Sequence, residues 1–348
     1  MVRLLGILVT VMFAIAAAVV TWPQFFRLER TFPFAQAVSL RGALVVAFAV
    51  LAVVALLLCL SRTARGFAAS ILVVALLAGG ANAVILGIRG VGGSALPAKT
   101  DSSLRVMTWN TAGAATEPDL IAKTAVAMQA DIVSLPETTI ETGKKVAVAM
   151  RKMGHPMWAH HEDFGERDDY PDWDANSTTL LISPDLGDYA VVDSTSQGAT
   201  NTSAVPSVVA MPVDGNGPIV VAVHAVAPRQ DAMDAWRADL QWIGDQCAAD
   251  DVILAGDFNA TVDHMDRLGV DGGTLGRCRD AASTTGSGAV GTWSTDWPQL
   301  LGAPIDHVMA TDSWTATASV VIGSLDGAGG DHRPVIVQFE PESAASTR

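Results

Sequence analysis

Apolar residues fall into two patterns along this chain of 348 residues, and the break between them lies near position 90. Residues 4–20, 42–60 and 67–88 are unbroken apolar stretches without a charge. Each is about as long as a helix needs to be to cross a bilayer. The first also has the look of a signal peptide, but it lacks a clear small-residue cleavage site, Trp22-Pro23 follows it, and two more stretches come behind. A three-helix membrane anchor is therefore expected over residues 1–89.

Residues 90–103 (GVGGSALPAKTDSS) have no periodicity and read as a linker. From Leu104 to the end at 348 the pattern is that of a separate folded domain. Segments 104–110, 131–137, 177–183 and 188–195 read as strands, and 119–129, 141–153 and 231–249 as helices. Residues 203–226 read as two strands around a turn at Asp214–Pro218, with Asn216-Gly217 as its signal. The run ending in GDFN (256–259) is a strand, and 303–311, 317–324 and 332–340 close the series. Many strands, hairpins among them, interleaved with few helices predict an α/β sandwich and not a doubly wound parallel sheet.

Charge divides the chain at the same place. Residues 1–99 carry eight basic side chains and one acid, Glu29, a net of +7, whereas the remainder carries 14 basic and 35 acidic residues, a net of −21. A domain of that sign repels polyanions, which argues against nucleic acid as a partner but leaves room for a small anionic group met by a metal ion. Three spans put the chain ends on opposite faces of the membrane. Arg3, Arg62 and Arg65 fall on one side and Arg27, Arg30, Arg41 and Arg89 on the other, a slight lean toward a cytoplasmic C-terminal domain. Cys247 and Cys278 fit either a disulfide or two separate buried thiols.

Six strands end in, or just short of, a side chain able to bind metal or phosphate: Asn110, Glu137, His224, Asp257 with Asn259, Asp306, and Asp331 with His332. A lone Asp or Asn after a strand is ordinarily a turn residue or a cap. Six such ends in one sheet architecture are different, because converging strand ends would gather them into one cleft. The carboxylates and carboxamides are hard oxygen donors suited to Mg²⁺ or Mn²⁺, and the histidines can move a proton or contact phosphate. Phosphoryl transfer builds negative charge on non-bridging oxygens, and a cation, an amide and an imidazolium aimed there stabilise the transition state. The sequence has no serine elbow and no Cys/His zinc spacing to compete with this chemistry.

Taken in order over residues 104–340, TWN, PE, a strand ending in His, GDFN, IDHV and GDHRPV resemble the motif series of the endonuclease/exonuclease/phosphatase superfamily. The resemblance implies a DNase-I-like four-layered α/β sandwich that cleaves phosphoester bonds with a divalent cation. It implies Glu137 as principal metal ligand, with Asn110 beside it and Asp331 close by. Asp257 would orient or deprotonate the attacking water, and Asn259 would bond a phosphate oxygen. His332, oriented by Asp306, would contact the phosphate, and His224 would flank the scissile group. Two departures turn the resemblance away from DNA repair: Ala112 stands where abasic-site nucleases carry Asp, and Ser183-Pro184 replaces a phosphatase-like Ser-Arg. Three spans ahead of such a domain are also similar to a group of actinobacterial membrane proteins that includes vancomycin- and teicoplanin-resistance proteins. That similarity implies a multi-pass cell-membrane protein, its domain facing outward to act at the bilayer on a lipid-linked, polyprenyl-type phosphate. A tethered nuclease and a phospholipid phosphodiesterase are the alternatives.

The remaining chemistry-bearing residues have plainer readings. His155, His160 and His161 fall in a stretch that reads as a solvated loop, where Trp158, Phe164, Tyr170 and Trp173 form a candidate lip toward substrate or membrane. His264 reads as surface, and His307 as packing on the face opposite Asp306. Trp293, Trp297 and Trp314 read as core or loop anchors.

Overall fold

The computed structural model describes residues 2–93, 95–165, 174–192 and 200–342. The N-terminal apolar stretches form α1 (Val2–Thr21), a short α2 (Phe34–Ser39), α3 (Arg41–Leu58) and α4 (Arg65–Arg89). The three long helices are long and apolar enough to cross a membrane. They pack through small residues: Ala17, Ala52, Ala75 and Ala78 are buried around Phe48. Small residues at these positions let the helix backbones approach closely and pack. Three helix ends meet on one side, where the Arg41 guanidinium at the start of α3 donates to the Thr21 carbonyl of α1 (3.1 Å) and to Asn82 Oδ1 of α4 (2.6 Å).

From Leu104 the chain builds a sandwich. Its first part is β1 (Leu104–Thr108), α5 (Pro118–Ala127), β2 (Ile132–Pro136), α6 (Ile140–Lys152), β3 (Trp158–Asp163) and β4 (Ser177–Ile182). Then come β5 (Tyr189–Val191), β6 (Val208–Pro212), β7 (Ile219–His224), α7 (Met233–Gln246) and β8 (Val252–Asp257). The last part is β9 (Arg279–Asp280), α8 (Ala281–Thr285), β10 (Asp306–Ala310), β11 (Trp314–Val321) and β12 (Val335–Pro341). One sheet runs β11-β12-β1-β2-β4-β3 and the other β5-β6-β7-β8-β10-β9.

Period-two alternation assigns every central strand two buried faces. Val106, Ile132, Val220, Ala222, Ile253, Ala255, Val308 and Val337 fill the space between the sheets. Met107, Val133 and Leu135 face Ile121, Ala125, Val146 and Met150 of α5 and α6, while Val221, Val223 and Leu254 face Trp236, Leu240 and Ile243 of α7. Helices outside two stacked sheets make the four-layered α/β sandwich expected from the sequence.

Two local readings change. Residues 158–163, expected as loop, pair with β4 from Trp158↔Ile182 to Asp163↔Ser177. An edge strand with an all-round half-buried surface has no clean alternation to reveal it. Trp158 is therefore a strand residue, Phe164 follows the strand, and Tyr170 and Trp173 lie outside the described residues. The 90–103 segment has no regular structure where described, yet it is pinned: Gly92 N–H donates to the Gly286 carbonyl, Lys99 pairs with Asp131, and Ser103 bonds Glu340.

Candidate active site

The inter-sheet faces of the central strands are mostly apolar, with Ser134 of β2 donating to the Ala255 carbonyl of β8 across the gap (2.7 Å), and turn polar at one end. Register places the polar ends side by side: His224 of β7 is paired with Asp257 of β8, and Asp257 with Asp306 of β10. From the other sheet come Asn110 just after β1, Glu137 just after β2, and Asp331 and His332 ahead of β12. Gly256 lets β7 and β8 approach, since a Cβ there would fall 1.9 Å from the Val223 carbonyl oxygen. Ala112, Glu137 and Asn259 all have positive φ (48°, 55° and 46°), a strained conformation for non-glycine residues that clusters where side chains must be aimed.

Hydrogen bonds join the two sheets across the cleft. The Asn110 amide donates to Glu137 Oε1 (3.0 Å) and to Asp257 Oδ2 (3.1 Å). His332 Nδ1 lies 2.8 Å from Asp306 Oδ2, and its Nε2 lies 3.7 Å from Asp257 Oδ2 and 3.9 Å from Asp331 Oδ1. His224 Nε2 is 3.8 Å from Glu137 Oε1. Asn259 N–H donates to Asp257 Oδ1 (2.8 Å), while its amide donates to the Ala225 carbonyl (2.9 Å) and to Asp257 Oδ2 (3.3 Å). All eight sequence candidates thus line one cleft. Asp331 sits at its mouth, half exposed, and receives the indole N–H of Trp293 at 2.9 Å.

Burial without a fixed counter-ion sets the electrostatics. Asp257 is pushed up to about 7 by burial first and by the Asp306 charge second, against the pull of His332 and the Asn259 and Asn110 donors. Burial alone would lower His332, but Asp306 and Asp257 outweigh it and hold the imidazole up at about 10. His224 goes the other way, lowered to about 3 by burial and then by the His332 charge, so it is neutral. Burial also raises Glu137.

Residues 107–332 match the endonuclease/exonuclease/phosphatase family, which covers most of the sandwich and every strand end just described. The chain belongs to that family. Its fold is similar to that of an endonuclease/exonuclease/phosphatase from Beutenbergia cavernae, with 19% identity, a TM-score of 0.52 and coverage of 69% of this chain and 72% of that one. It is also similar to a family protein from Leptotrichia buccalis (14% identity, TM-score 0.50, 68% and 99% covered). A humanized D. rerio TDP2 gives 14% identity and a TM-score of 0.50 over 69% of this chain and all of that one. No curated protein matches the chain in sequence.

Members of this phosphoesterase family generally use divalent metals, and the residues here fit one. Asp257, Asp306 and His332 offer ligand atoms within 4.8 Å of one another. Among the described residues, Asp306 Oδ1 and His224 Nδ1 are buried without a hydrogen-bond partner. His332 is the weakest ligand of that trio: Asp306 occupies Nδ1, and as an imidazolium it has no lone pair to give. The stronger donors are carboxylate oxygens of Glu137 and Asp257, bridged by Asn110, a set that suits a hard cation.

A second buried carboxylate was invisible in the sequence. Asp263, in the segment leaving β8, is bonded by Arg41 (2.8 and 2.7 Å) and Arg89 (2.6 and 2.7 Å) from the ends of α3 and α4. Burial would raise its pKa, but the two guanidiniums hold it well below the usual carboxylate range. His264 beside it is fully buried and not at the surface as expected, because its ring lies 3.0 Å from the Ala35 carbonyl of α2. His307 packs as expected, 2.9 Å from Asp280 and 2.8 Å from the Ala260 carbonyl. Nothing local in TVDHMDR announces these partners, which lie more than 170 residues upstream.

Proposed function

We propose that this chain is a membrane-anchored hydrolase dependent on Mg²⁺ or Mn²⁺ that cleaves a phosphoester or diphosphate of a lipid-linked substrate, a polyprenyl carrier of the cell envelope. The observation that carries this reading is the Asp263 clamp. It fixes the segment leaving Asp257 and Asn259 onto the ends of the three apolar helices, so the cleft is held against the anchor and does not swing on a tether. A substrate whose tail never leaves the bilayer suits that arrangement. The domain charge of −21 disfavours a nucleic-acid substrate.

The roles follow from the geometry. Glu137 and Asn110, with Asp331 at the mouth, would hold a divalent cation that neutralises charge developing on the phosphate. Asp257, raised toward neutrality, accepts or orients the proton of the attacking water. Asn259 uses its N–H and amide on Asp257 and Ala225, so we assign it the aiming of that carboxylate. His332, kept charged by Asp306, faces the phosphate, and neutral His224 donates a hydrogen bond beside it.

We place the catalytic domain outside the cytoplasm. The Cys247–Cys278 disulfide supports this, since such bonds persist in oxidising compartments. Arg41 and Arg89, which tip the loop count the other way, are paired with Asp263. A cysteine label at Val213 that reads as cytoplasmic would overturn the placement. The function itself is tested with the full chain in lipid nanodiscs and Mg²⁺, offered a polyprenyl diphosphate, DNA and a phospholipid panel. Phosphate release from the prenyl substrate is expected; preferential cleavage of DNA would overturn the reading.

A further inference from the structure

Residues 291–303 form a loop beside the cleft that is fastened on its inner side and presents two indoles and a leucine on its outer side, with Asp296 exposed among them. Arg333, fully buried next to His332, donates to the carbonyls of Gly291 (3.0 Å), Ser294 (3.3 Å), Thr295 (3.4 Å) and Trp297 (2.7 Å). It also pairs with both oxygens of Asp326 (2.7 and 2.8 Å). Thr295 N–H donates to the Asp331 carbonyl, and Thr292 and Trp293 N–H to Ala303. On the outer side Trp293, Trp297 and Leu300 are 39%, 56% and 46% exposed. Apart from the Trp293 N–H bond to Asp331, these side chains leave apolar surface in water on a braced loop, and such patches mark interaction surfaces.

The far end of the loop identifies the partner. The Leu300 carbonyl lies against Gly42 in the first turn of α3, so closely that a Cβ at Gly42 would fall 1.7 Å from that oxygen. Arg41, one residue earlier, reaches the last residue of α1. There the chain turns into Trp22, Phe25 and Phe26, all exposed. Exposed aromatics at the ends of apolar helices are the mark of a bilayer's headgroup boundary. The loop is continuous with that boundary at Leu300 and with the cleft at Trp293.

We propose that residues 293–300 are a membrane-interface lip, with Trp293, Trp297 and Leu300 seated in the headgroup–hydrocarbon boundary of a phospholipid bilayer beside α3. The proposal rests on the membrane-spanning reading of α1, α3 and α4. The catalytic cleft then opens at the lipid surface, where the phosphate of a membrane-held substrate emerges. Arg333 joins the two functions: its guanidinium braces the lip by four carbonyls, and in the chain it follows His332 directly.

The test uses the full chain in phospholipid nanodiscs. Cys59→Ser removes the free thiol, since the other two cysteines are bonded to each other. A nitroxide is placed at Leu300→Cys and, because that residue abuts Gly42 and its variant can fail to fold, separately at Trp297→Cys. Leu77→Cys in α4 is the bilayer reference and Val213→Cys on the far hairpin is the water reference, both exposed. The lip positions are expected to show an oxygen-to-nickel-chelate collision ratio several-fold above Val213→Cys and below Leu77→Cys. Lip labels that match Val213→Cys while Leu77→Cys reads apolar overturn the lip and leave the anchor standing. A water-like Leu77→Cys overturns the membrane reading and the lip together.

Discussion

Asp257 and Asp263 stand on one short segment, both buried to within a few per cent, and their environments treat them in opposite ways. Asp263 faces two guanidiniums, and its ionised form is favoured far beyond that of a free carboxylate. Asp257 faces another carboxylate, and its pKa rises even with the His332 imidazolium 3.7 Å away. Burial is therefore not what separates a structural carboxylate from a reactive one. The separation lies in whether the fold supplies the counter-charge. At Asp263 it does, with arginines from the ends of α3 and α4. At Asp257 it does so only in part, which leaves the site ready for a cation and a proton.

The largest effect expected on this contrast comes from chelation. EDTA should abolish hydrolysis, and Mg²⁺ or Mn²⁺ should restore it, because the donors around Asp257 are nearly all oxygen. The same cations should raise the thermal midpoint of wild type by mass action, and should do less once Glu137 is replaced by Gln. Full turnover in chelator would remove the metal from the mechanism.

Next in size is Asp257→Asn, which keeps the shape of the side chain but removes its charge. Turnover should fall by about 10²-fold or more, the lower range for loss of a general base. The melting temperature without metal should stay level or rise, since one of two crowded carboxylates is gone. Wild-type turnover together with a lower melting temperature would make Asp257 the structural member of the pair.

Asp263→Asn should show the reverse balance. Removing one partner from a buried ion pair leaves the arginines uncompensated, a cost of about 3–5 kcal/mol, or a drop on the order of 10 °C in a domain this size. Turnover of the folded protein on a soluble phosphoester should change little. A large loss of turnover with unchanged stability would mean that the clamp acts on the chemistry itself.

The sequence revealed these two aspartates unequally, and the reason is physical. GDFN is a local signal: an unbroken apolar strand ends abruptly in polar residues, and its motif neighbours recur in a fixed order. The sandwich and all eight cleft residues were legible for the same reason. Asp263 looked like any surface acid, because its meaning depends on Arg41 and Arg89, and only the folded chain brings them near. His264 was misread on the same ground, and β3 because an edge strand half-buried on both faces lacks alternation. The cysteine spacing left pairing open, whereas the fold brings Cys247 and Cys278 to a Cα–Cα distance of 5.6 Å.

The smallest effect separates the two carboxylates by the sign of their linkage to pH, measured as melting temperature in metal-free protein. Asp257 has a folded pKa of about 7 against an ordinary value of 3.8. A raised pKa means that the folded state favours the protonated form. Its contribution is fully present below the unfolded pKa and is lost as pH rises through the folded one. Asn imitates the neutral carboxyl, so Asp257→Asn and wild type should melt alike near the bottom of that window. The variant should gain steadily as pH rises toward 6.5, the range in which His332 is protonated in the folded and unfolded states of both proteins. Asp263 is depressed, so its contribution is present above the ordinary carboxylate range and is lost only as pH falls below that range. The deficit of Asp263→Asn should therefore be constant from about pH 5 to 6.5, an interval in which the Asp257→Asn advantage grows. Above pH 5 His224 and His264, both lowered by burial, are neutral in the fold with or without either aspartate, so their titration cancels in the differences, whereas His332 is held up in part by Asp257 and limits the comparison to pH values below its ordinary 6.5. A flat difference for Asp257→Asn across this interval would show that its carboxylate already has a full counter-charge in the metal-free fold, and the contrast with Asp263 would disappear.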